Sequence, residues 1–491
     1  MQVRVRIAPT PSGKLHLGTA HTALFNYLFA RHHAGQFILR IDDSDPSRCK
    51  KEYEEDIIES LKWLGMEWDE GPDIAGPYGP YRQSQRMNIY KKYIDRLLKE
   101  GKAYYCYCTP EELTAERKKM EKAKIIPRYS GKCRHLTVKQ VESFKKQNRK
   151  PAVRLKVPEK MVSFIDPARG KIAVNSADFG DFIIARGDGT ALLGMASTID
   201  DIEMKITHAI RGEDYINFVP RQILIYEALG IKPPIFAHLP FVYAADGSKL
   251  SKRHGAVAVS DYRKKGYLPE AIFNYLTFLG WSTGDDRDIL TKKETIKLFR
   301  LEKVNTNAHH FDVNKLKWLN GVYIRNTSDE KLLWLTKPHL DSQLSKIENQ
   351  QLRKIIPLLK ERIFVLSEVK EMIQFLKTPP DCKKELFKGE KVEEQLQQLE
   401  DSLKTIKDWQ KSRLFEAIKG VFGEGNYDKK EFYPNLYLAI EGRPTGLPVF
   451  ESMEILGKAE TLKRLKKTLN LVATTPCHSG VPTPCHSGAK R

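Results

Sequence analysis

Apolar and polar positions alternate at the start of the chain, where Val3, Val5 and Ile7 flank Arg4 and Arg6. A period of two reads as a β-strand. Ala20, Ala23, Leu24, Tyr27 and Leu28 then recur at helical spacing, and a second strand-like run leads through Phe37, Ile38 and Leu39 to Ile41. A further helical run, Tyr53, Ile57, Ile58, Leu61 and Leu64, stops at Gly65. Strand, helix, strand over residues 3–41 is βαβ material and predicts a parallel, doubly wound sheet in an α/β domain. Such sheets bind ligands beyond the carboxyl ends of their strands, where Ala8 to Gly13 and Arg40 to Asp45 fall.

The pattern changes after residue 102. Residues 103–188 carry a cysteine cluster, a lysine-rich helix from Glu111 to Lys124 and several short strand-like runs, which predicts a small domain inserted into the sheet. The sheet resumes over 189–245 and leads into a basic loop and a connecting helical domain, 246–325. From 326 to 471 Gly and Pro thin out while Lys, Glu and Leu rise at helical spacing, ending in the amphipathic run Leu462, Leu465 and Leu469. No alternation there supports a β-barrel. In the remaining 472–491, Thr475-Pro476-Cys477-His478-Ser479-Gly480 repeats as Thr483-Pro484-Cys485-His486-Ser487-Gly488, a unit too poor in apolar residues to build a core. It reads as a disordered appendage without an assigned function.

Two segments carry chemistry. In Pro9-Thr10-Pro11-Ser12-Gly13-Lys14-Leu15-His16-Leu17-Gly18-Thr19, His16 and Gly18 sit where a strand hands over to a helix N-terminus. Free N–H groups and the positive end of the helix dipole favour phosphate there, and a glycine lets a flat base approach the backbone. In Asp246-Gly247-Ser248-Lys249-Leu250-Ser251-Lys252-Arg253-His254-Gly255, two lysines three residues apart can swing onto developing phosphate charge. Each segment by itself also fits a chance tripeptide or a solvated basic turn.

With 491 residues the chain has room for three or four domains of ordinary size. Lys and Arg number 82 against 62 Asp and Glu, and the formal charge of +20 suits a polyanionic partner. No apolar run approaches a membrane span, and mean hydropathy is −0.47. The first strand begins within a few residues of Met1, so a cytoplasmic location is expected. Seven cysteines without framework spacing favour reduced thiols or metal ligands over disulfides.

The two segments together resemble the HIGH and KMSKS signatures of class I aminoacyl-tRNA synthetases. With Arg6-Ile7-Ala8-Pro9, Phe37 to Asp45, Ile210-Arg211-Gly212-Glu213-Asp214, Leu279-Gly280-Trp281-Ser282 and Lys315 to Asn320, the chain resembles bacterial-type glutamyl-tRNA synthetases over nearly its whole length. The resemblance implies a Rossmann-like catalytic domain split by an insertion that grips the tRNA acceptor end, followed by a helical anticodon-binding region. It implies a monomer that takes ATP with Mg²⁺, L-glutamate and tRNA-Glu, with tRNA-Gln as a further candidate substrate. Lys249, Lys252 and Arg253 would neutralise the leaving phosphates. Pro9, Ser12, Gly13, His16, Gly18 and Thr19 would line the ATP site. Arg6 would face the glutamate side chain, Ala8, Thr10 and Asp42 would surround its amino end, and Leu193, Ser197 and Arg211 would complete the pocket.

Cys106, Cys108, Cys133 and His135 form the pattern C-x-C-x24-C-x-H. Three thiolates and an imidazole fit a closed tetrahedral zinc site that would pin a small domain. Members of the resembled family share the spacing, and Tyr129 is a candidate substitute for the histidine. Cys49 and Cys382 read as isolated buried thiols.

One departure bears on the pocket. Where relatives show P-L-Y-N-F-A-S-V-V-D-D, this chain has Ala191-Leu192-Leu193-Gly194-Met195-Ala196-Ser197-Thr198-Ile199-Asp200-Asp201, so Leu193 replaces a tyrosine expected against the substrate. Two alternatives to a working synthetase follow. A tRNA-binding paralogue with impaired activation is one, disfavoured by the charges at 16, 211 and 249–253. An enzyme that glutamylates a modified tRNA base is the other, disfavoured by the long helical C-terminal region.

Overall fold

The structure is a computed structural model describing residues 2–244, 246–248, 258–307, 309–424 and 427–473. It divides into two compact units, Met1–Leu319 and Asn320–Arg491.

In the first unit, β1 (Arg4–Ile7) leads through α1 (Leu17–His32) to β2 (Gln36–Leu39), and the strands pair in parallel from Arg4 opposite Gln36 to Ile7 opposite Leu39. Val5, Phe37, Ile38 and Leu39 have no solvent exposure, so α1 and the strands bury their apolar positions against one another as the alternation requires. Helix α2 (Lys51–Trp63) follows, and the chain leaves it through Gly65 at φ +70°, a left-handed value that suits glycine. Helix α3 (Met87–Lys99) closes this first half.

The segment after α3 forms its own antiparallel structure. Strand β3 (Ala103–Cys106) precedes α4 (Pro110–Lys122) and α5 (Val138–Lys146), each started by a Thr capping box, at Thr109 and Thr137. Strands β4 (Ala152–Leu155), β5 (Met161–Asp166), β6 (Gly170–Asn175) and β7 (Ile183–Ala185) follow, with β3-β4-β7 in one sheet and β5-β6 as a hairpin. Helix α6 (Leu193–Glu203) then returns the chain to parallel pairing, in which β8 (His208–Gly212) runs through α7 (Val219–Ala228) to β9 (Ile235–Leu239). Thr207 N donates to Arg4 O, tying the entry of β8 to β1.

Among the described residues, the second unit is helical without strands. Its core gathers Leu396, Leu399, Leu403, Leu414, Ile418, Leu436 and Met453 with Leu465 and Leu469 of the last helix, Lys458–Ala473. No described helix is long and apolar enough to cross a membrane. The repeated segment at 475–488 lies outside the described residues.

Candidate active site

The carboxyl ends of β1, β2 and β8 open onto a cavity of about 430 Å³. Its lining brings together Arg6, Ala8, Thr10, Asp42, Leu193, Ser197 and Arg211, along with Pro9, His16, Gly18 and Thr19. Ser12 and Gly13 are not part of it; Ser12 is exposed, its N–H turned to Thr10 O. Lys249, Lys252 and Arg253 lie outside the described residues, whereas the turn before them is described, with Ser248 N bonded to Asp246 Oδ1.

His16 is the N-cap of α1. Its Nδ1 accepts the backbone N–H of Gly18 at 3.1 Å, which places the ring proton on Nε2, beside the helix N-terminus. The first turn of α1 carries no acidic residue. An anionic group near His16 therefore meets the positive end of the helix dipole without a competing carboxylate on that turn.

Three arginines surround the cavity, and their partners differ. Arg6 donates from Nε and Nη2 to the two carboxylate oxygens of Asp201, at 3.1 and 3.0 Å. Arg40 donates to Asp42 and Asp201, both at 2.8 Å, and to Ser197 Oγ at 3.3 Å. Burial pulls the Arg40 guanidinium down, but Asp42, Asp200 and Asp201 outweigh it and hold Arg40 well above its usual value. The third, Arg211, has no carboxylate at ion-pair distance among the described residues. Its Nη2 donates to Gln222 Oε1 at 2.6 Å, and its Nε is buried without a partner. Burial and the neighbouring Arg6 pull Arg211 down to about 10, so it remains protonated at neutral pH. A buried guanidinium without a counter-ion favours a ligand that carries one.

Asp42 is the complementary group. Burial pushes its carboxyl up to about 6, and the bond to Arg40 only partly offsets this. Above that pH it is an anion facing the cavity, which suits an ammonium group. Asp200, by contrast, is consumed internally by Arg86, Tyr90 and Gln83. The sequence placed Arg40 at the ligand-binding end of its strand without giving it a role, and gave no sign of Gln222 as part of the site. Arg40 stands as the one polar residue in the apolar run Phe37 to Ile41, whereas Gln222 follows Arg221 at the head of the run Ile223 to Tyr226 and carries no such signal.

Leu193 opens α6 and is 44% exposed, lining this cavity and also a second one of about 750 Å³. A Cβ on Gly194 would meet nothing within 4 Å, so the replaced polar pair leaves open space between the two. The second cavity is faced by Arg117, Arg128, Arg154 and Arg221 together with Tyr129 and Phe179.

The thiols of Cys106, Cys108 and Cys133 converge within 4.8 Å of one another. His135 is exposed and outside this group, while the Tyr129 hydroxyl lies 3.5 Å from Cys106 Sγ and 3.6 Å from Cys108 Sγ. Of the two residues the sequence offered for the fourth position, His135 and Tyr129, it is the Tyr129 hydroxyl that lies beside the thiols. Ligand atoms about 2.3 Å from a tetrahedral zinc stand about 3.8 Å apart, so the donor set and its 3.6 Å Cys108–Cys133 spacing fit a metal.

Residues 2–318 match the family model for tRNA synthetases class I (E and Q), catalytic domain, and residues 331–469 match an anticodon binding domain. The chain is 44% identical over 472 residues to a glutamate–tRNA ligase of Sulfurihydrogenibium sp., covering 95% of this chain and 99% of the relative. It is 42% identical to a glutamate–tRNA ligase 2 of Caldanaerobacter subterraneus, covering 96% and 99%. A crystal structure of a glutamate tRNA ligase from Elizabethkingia meningosepticum in complex with its amino acid superposes with a TM-score of 0.86 at 34% identity, covering 96% of this chain and all of that one. A split parallel sheet, a cavity at its strand ends and a helical second unit agree with these matches, and the chain belongs to the bacterial-type glutamyl-tRNA synthetases of class I.

Proposed function

We propose that the 430 Å³ cavity joins L-glutamate to ATP and then passes the glutamyl group to the 3′ end of tRNA-Glu. The observation that carries this reading is the presence, in one cavity, of Arg211 without a counter-ion among the described residues and of Asp42, a buried carboxylate held by Arg40. An amino acid with a second carboxylate satisfies both. Its side-chain carboxylate meets Arg211, while its ammonium group meets Asp42, with Ala8 and Thr10 beside it and Ser197 and Leu193 as walls. Arg6, neutralised by Asp201, shapes the pocket and adds little free charge.

The α-carboxylate then lies toward α1, where ATP would place its phosphates against His16 and the N-terminal turn, and its base near Pro9, Gly18 and Thr19. A carboxylate oxygen attacks the α-phosphorus, the bond to the bridging oxygen breaks, and pyrophosphate leaves. Mg²⁺ carried in with ATP would supply charge neutralisation for the phosphates. Lys249, Lys252 and Arg253 belong to this step as cations that meet charge building on the leaving group. In the second step a ribose hydroxyl of the tRNA displaces AMP from the acyl carbon, and positioning dominates. The second cavity, with its four arginines and aromatic rings beside Leu193 and Gly194, suits an unpaired acceptor strand arriving from the inserted domain.

Zinc would be held by Cys106, Cys108 and Cys133 with Tyr129, and would cross-link β3 to the turn at residue 133. The same reading keeps the enzyme a cytoplasmic monomer. A paralogue with impaired activation is supported only by Leu193 and Gly194, whereas His16, Asp42 and Arg211 converge as activation requires. Charging assays with separate tRNA-Glu and tRNA-Gln transcripts test the reading: glutamate should be esterified to tRNA-Glu, and the second transcript decides whether tRNA-Gln is also a substrate. Failure to charge either transcript would return the paralogue reading.

A further inference from the structure

Arg211 is oriented by a neutral side chain. Gln222 sits on α7 at 2% exposure and accepts from Arg211 Nη2 at 2.6 Å. A guanidinium has no acceptor atom, so the amide must present its oxygen to Arg211 and its NH₂ elsewhere. It does so: Gln222 Nε2 donates to Thr198 Oγ1 at 3.2 Å, and Thr198 Oγ1 donates to Gly194 O at 2.7 Å. A directed chain of hydrogen bonds therefore runs from Arg211 to the backbone of α6, the helix that walls the cavity. The two other arginines of the cavity are held by carboxylates instead. Glutamate at position 222 would have the same length and shape as glutamine and could make the bond to Arg211 more strongly.

We propose that Gln222 is the positioning residue that sets charge selection in this site, fixing Arg211 through a neutral acceptor so that its charge is left for the carboxylate of the substrate. This rests on the reading that Arg211 receives the glutamate side chain. The alternative is that residue 222 serves only to pack and to hold Arg211 still. The two roles order the variants oppositely. If holding is all that matters, Gln222→Glu keeps the contact and Gln222→Ala loses it, so Ala is the worse variant. If charge availability matters, Glu supplies an internal counter-ion and becomes the worse variant.

The test is tRNA-dependent pyrophosphate exchange on the full-length chain with Gln222→Ala, Gln222→Glu and Arg211→Ala, each checked by thermal melting. The expected result is a loss in kcat/KM for glutamate of about 10-fold for Gln222→Ala and about 100-fold for Gln222→Glu, carried mainly by KM for glutamate with KM for ATP unchanged. Gln222→Glu equal to or better than Gln222→Ala, with Arg211→Ala strongly impaired, overturns the proposal alone. Arg211→Ala with normal kcat/KM for glutamate overturns the underlying reading as well. Should either variant at 222 fail to fold, Thr198→Val removes the hydroxyl that holds the amide. KM for glutamate should then rise several-fold at nearly constant kcat, and an unchanged KM overturns the proposal.

Discussion

Arg6 and Asp201 meet as a two-bond pair at 3.1 and 3.0 Å although 195 residues separate them. The pair joins β1, in the first half of the catalytic sheet, to α6, which follows the insertion, and Arg40, just beyond the end of β2, bonds the same carboxylate. Burial pushes the Asp201 carboxyl up, but Arg6 and Arg40 outweigh it and hold it below the usual range. The split domain is thus closed at the cavity by one acid shared between two arginines.

Removing that acid should damage the fold before the chemistry. Asp201→Asn takes from buried Arg6 the carboxylate that pairs it, while Arg40 keeps Asp42, and breaking a buried pair in this way typically costs about 3–5 kcal/mol. Because the folded pKa is depressed, the stabilisation from Asp201 is present above its unfolded value and is lost as pH falls through the folded one. Urea unfolding should show a lower midpoint for the variant at pH 7.5, with the gap narrowing at low pH. A midpoint unchanged at pH 7.5 would contradict this role.

Asp42 should impose a pH dependence of the opposite origin. Its carboxyl, raised to about 6, must be ionised to receive an ammonium group, so kcat/KM for glutamate should rise with pH through about 6 and level off above it. Asp42→Asn should lower kcat/KM at pH 7.5 and remove that acid limb. Because burial raises this pKa above the unfolded value, the Asp42 titration costs the fold stability as pH rises toward 6, but the substitution also takes a carboxylate from buried Arg40, so the variant should melt below the parent at pH 7.5. An acid limb that persists in the variant would assign the titration elsewhere.

Much of this was legible in the chain because the patterns are local. The alternation at Val3 to Ile7 and the run from Tyr53 to Leu64 became β1 and α2, since burial of a periodic face needs no distant information. The roles of Arg6 and Arg211 were not separable that way. Which arginine keeps a free charge depends on Asp201 and Gln222, and nothing in the spacing says which acid will fold against which base. His135 shows the same limit at short range. The turn at Gly131, where Arg134 N bonds to Gly131 O, brings the Tyr129 hydroxyl to the thiols and to Cys133 N.

The thiol cluster predicts metal. Protein purified without chelator should hold about one equivalent of zinc, and Cys133→Ser should release it, loosening the inserted domain and weakening tRNA binding while KM for ATP stays near its parent value. His135→Ala should retain the metal and Tyr129→Phe should weaken it. Elemental analysis finding no zinc in reduced protein would remove the site.

Leu193 tests the departure from the family pattern. The side chain is 44% exposed and Gly194 beside it has open space, so Leu193→Tyr should fit without overpacking and change stability by no more than about 0.5 kcal/mol. A ring and a hydroxyl at the pocket wall should lower KM for glutamate several-fold and leave KM for ATP unchanged. A normally folded variant whose KM for glutamate is unmoved would show that residue 193 does not face the substrate.

Lys252 falls outside the described residues, yet its assignment is testable. Lys252→Ala should bind tRNA as the parent does and slow adenylate formation by about two orders of magnitude, as loss of a preorganised charge in a transition state does. Equal aminoacylation rates in mutant and parent would sink the assignment.

The central claim is that a buried cation without a counter-ion selects glutamate. Pyrophosphate exchange with glutamate and with glutamine, at saturating ATP and tRNA-Glu, measures this directly when the parent is compared with Arg211→Ala. The variant should lose about 100-fold or more in kcat/KM for glutamate, and its preference for glutamate over glutamine should collapse. A folded Arg211→Ala enzyme that still prefers glutamate by the parent's margin would contradict the account.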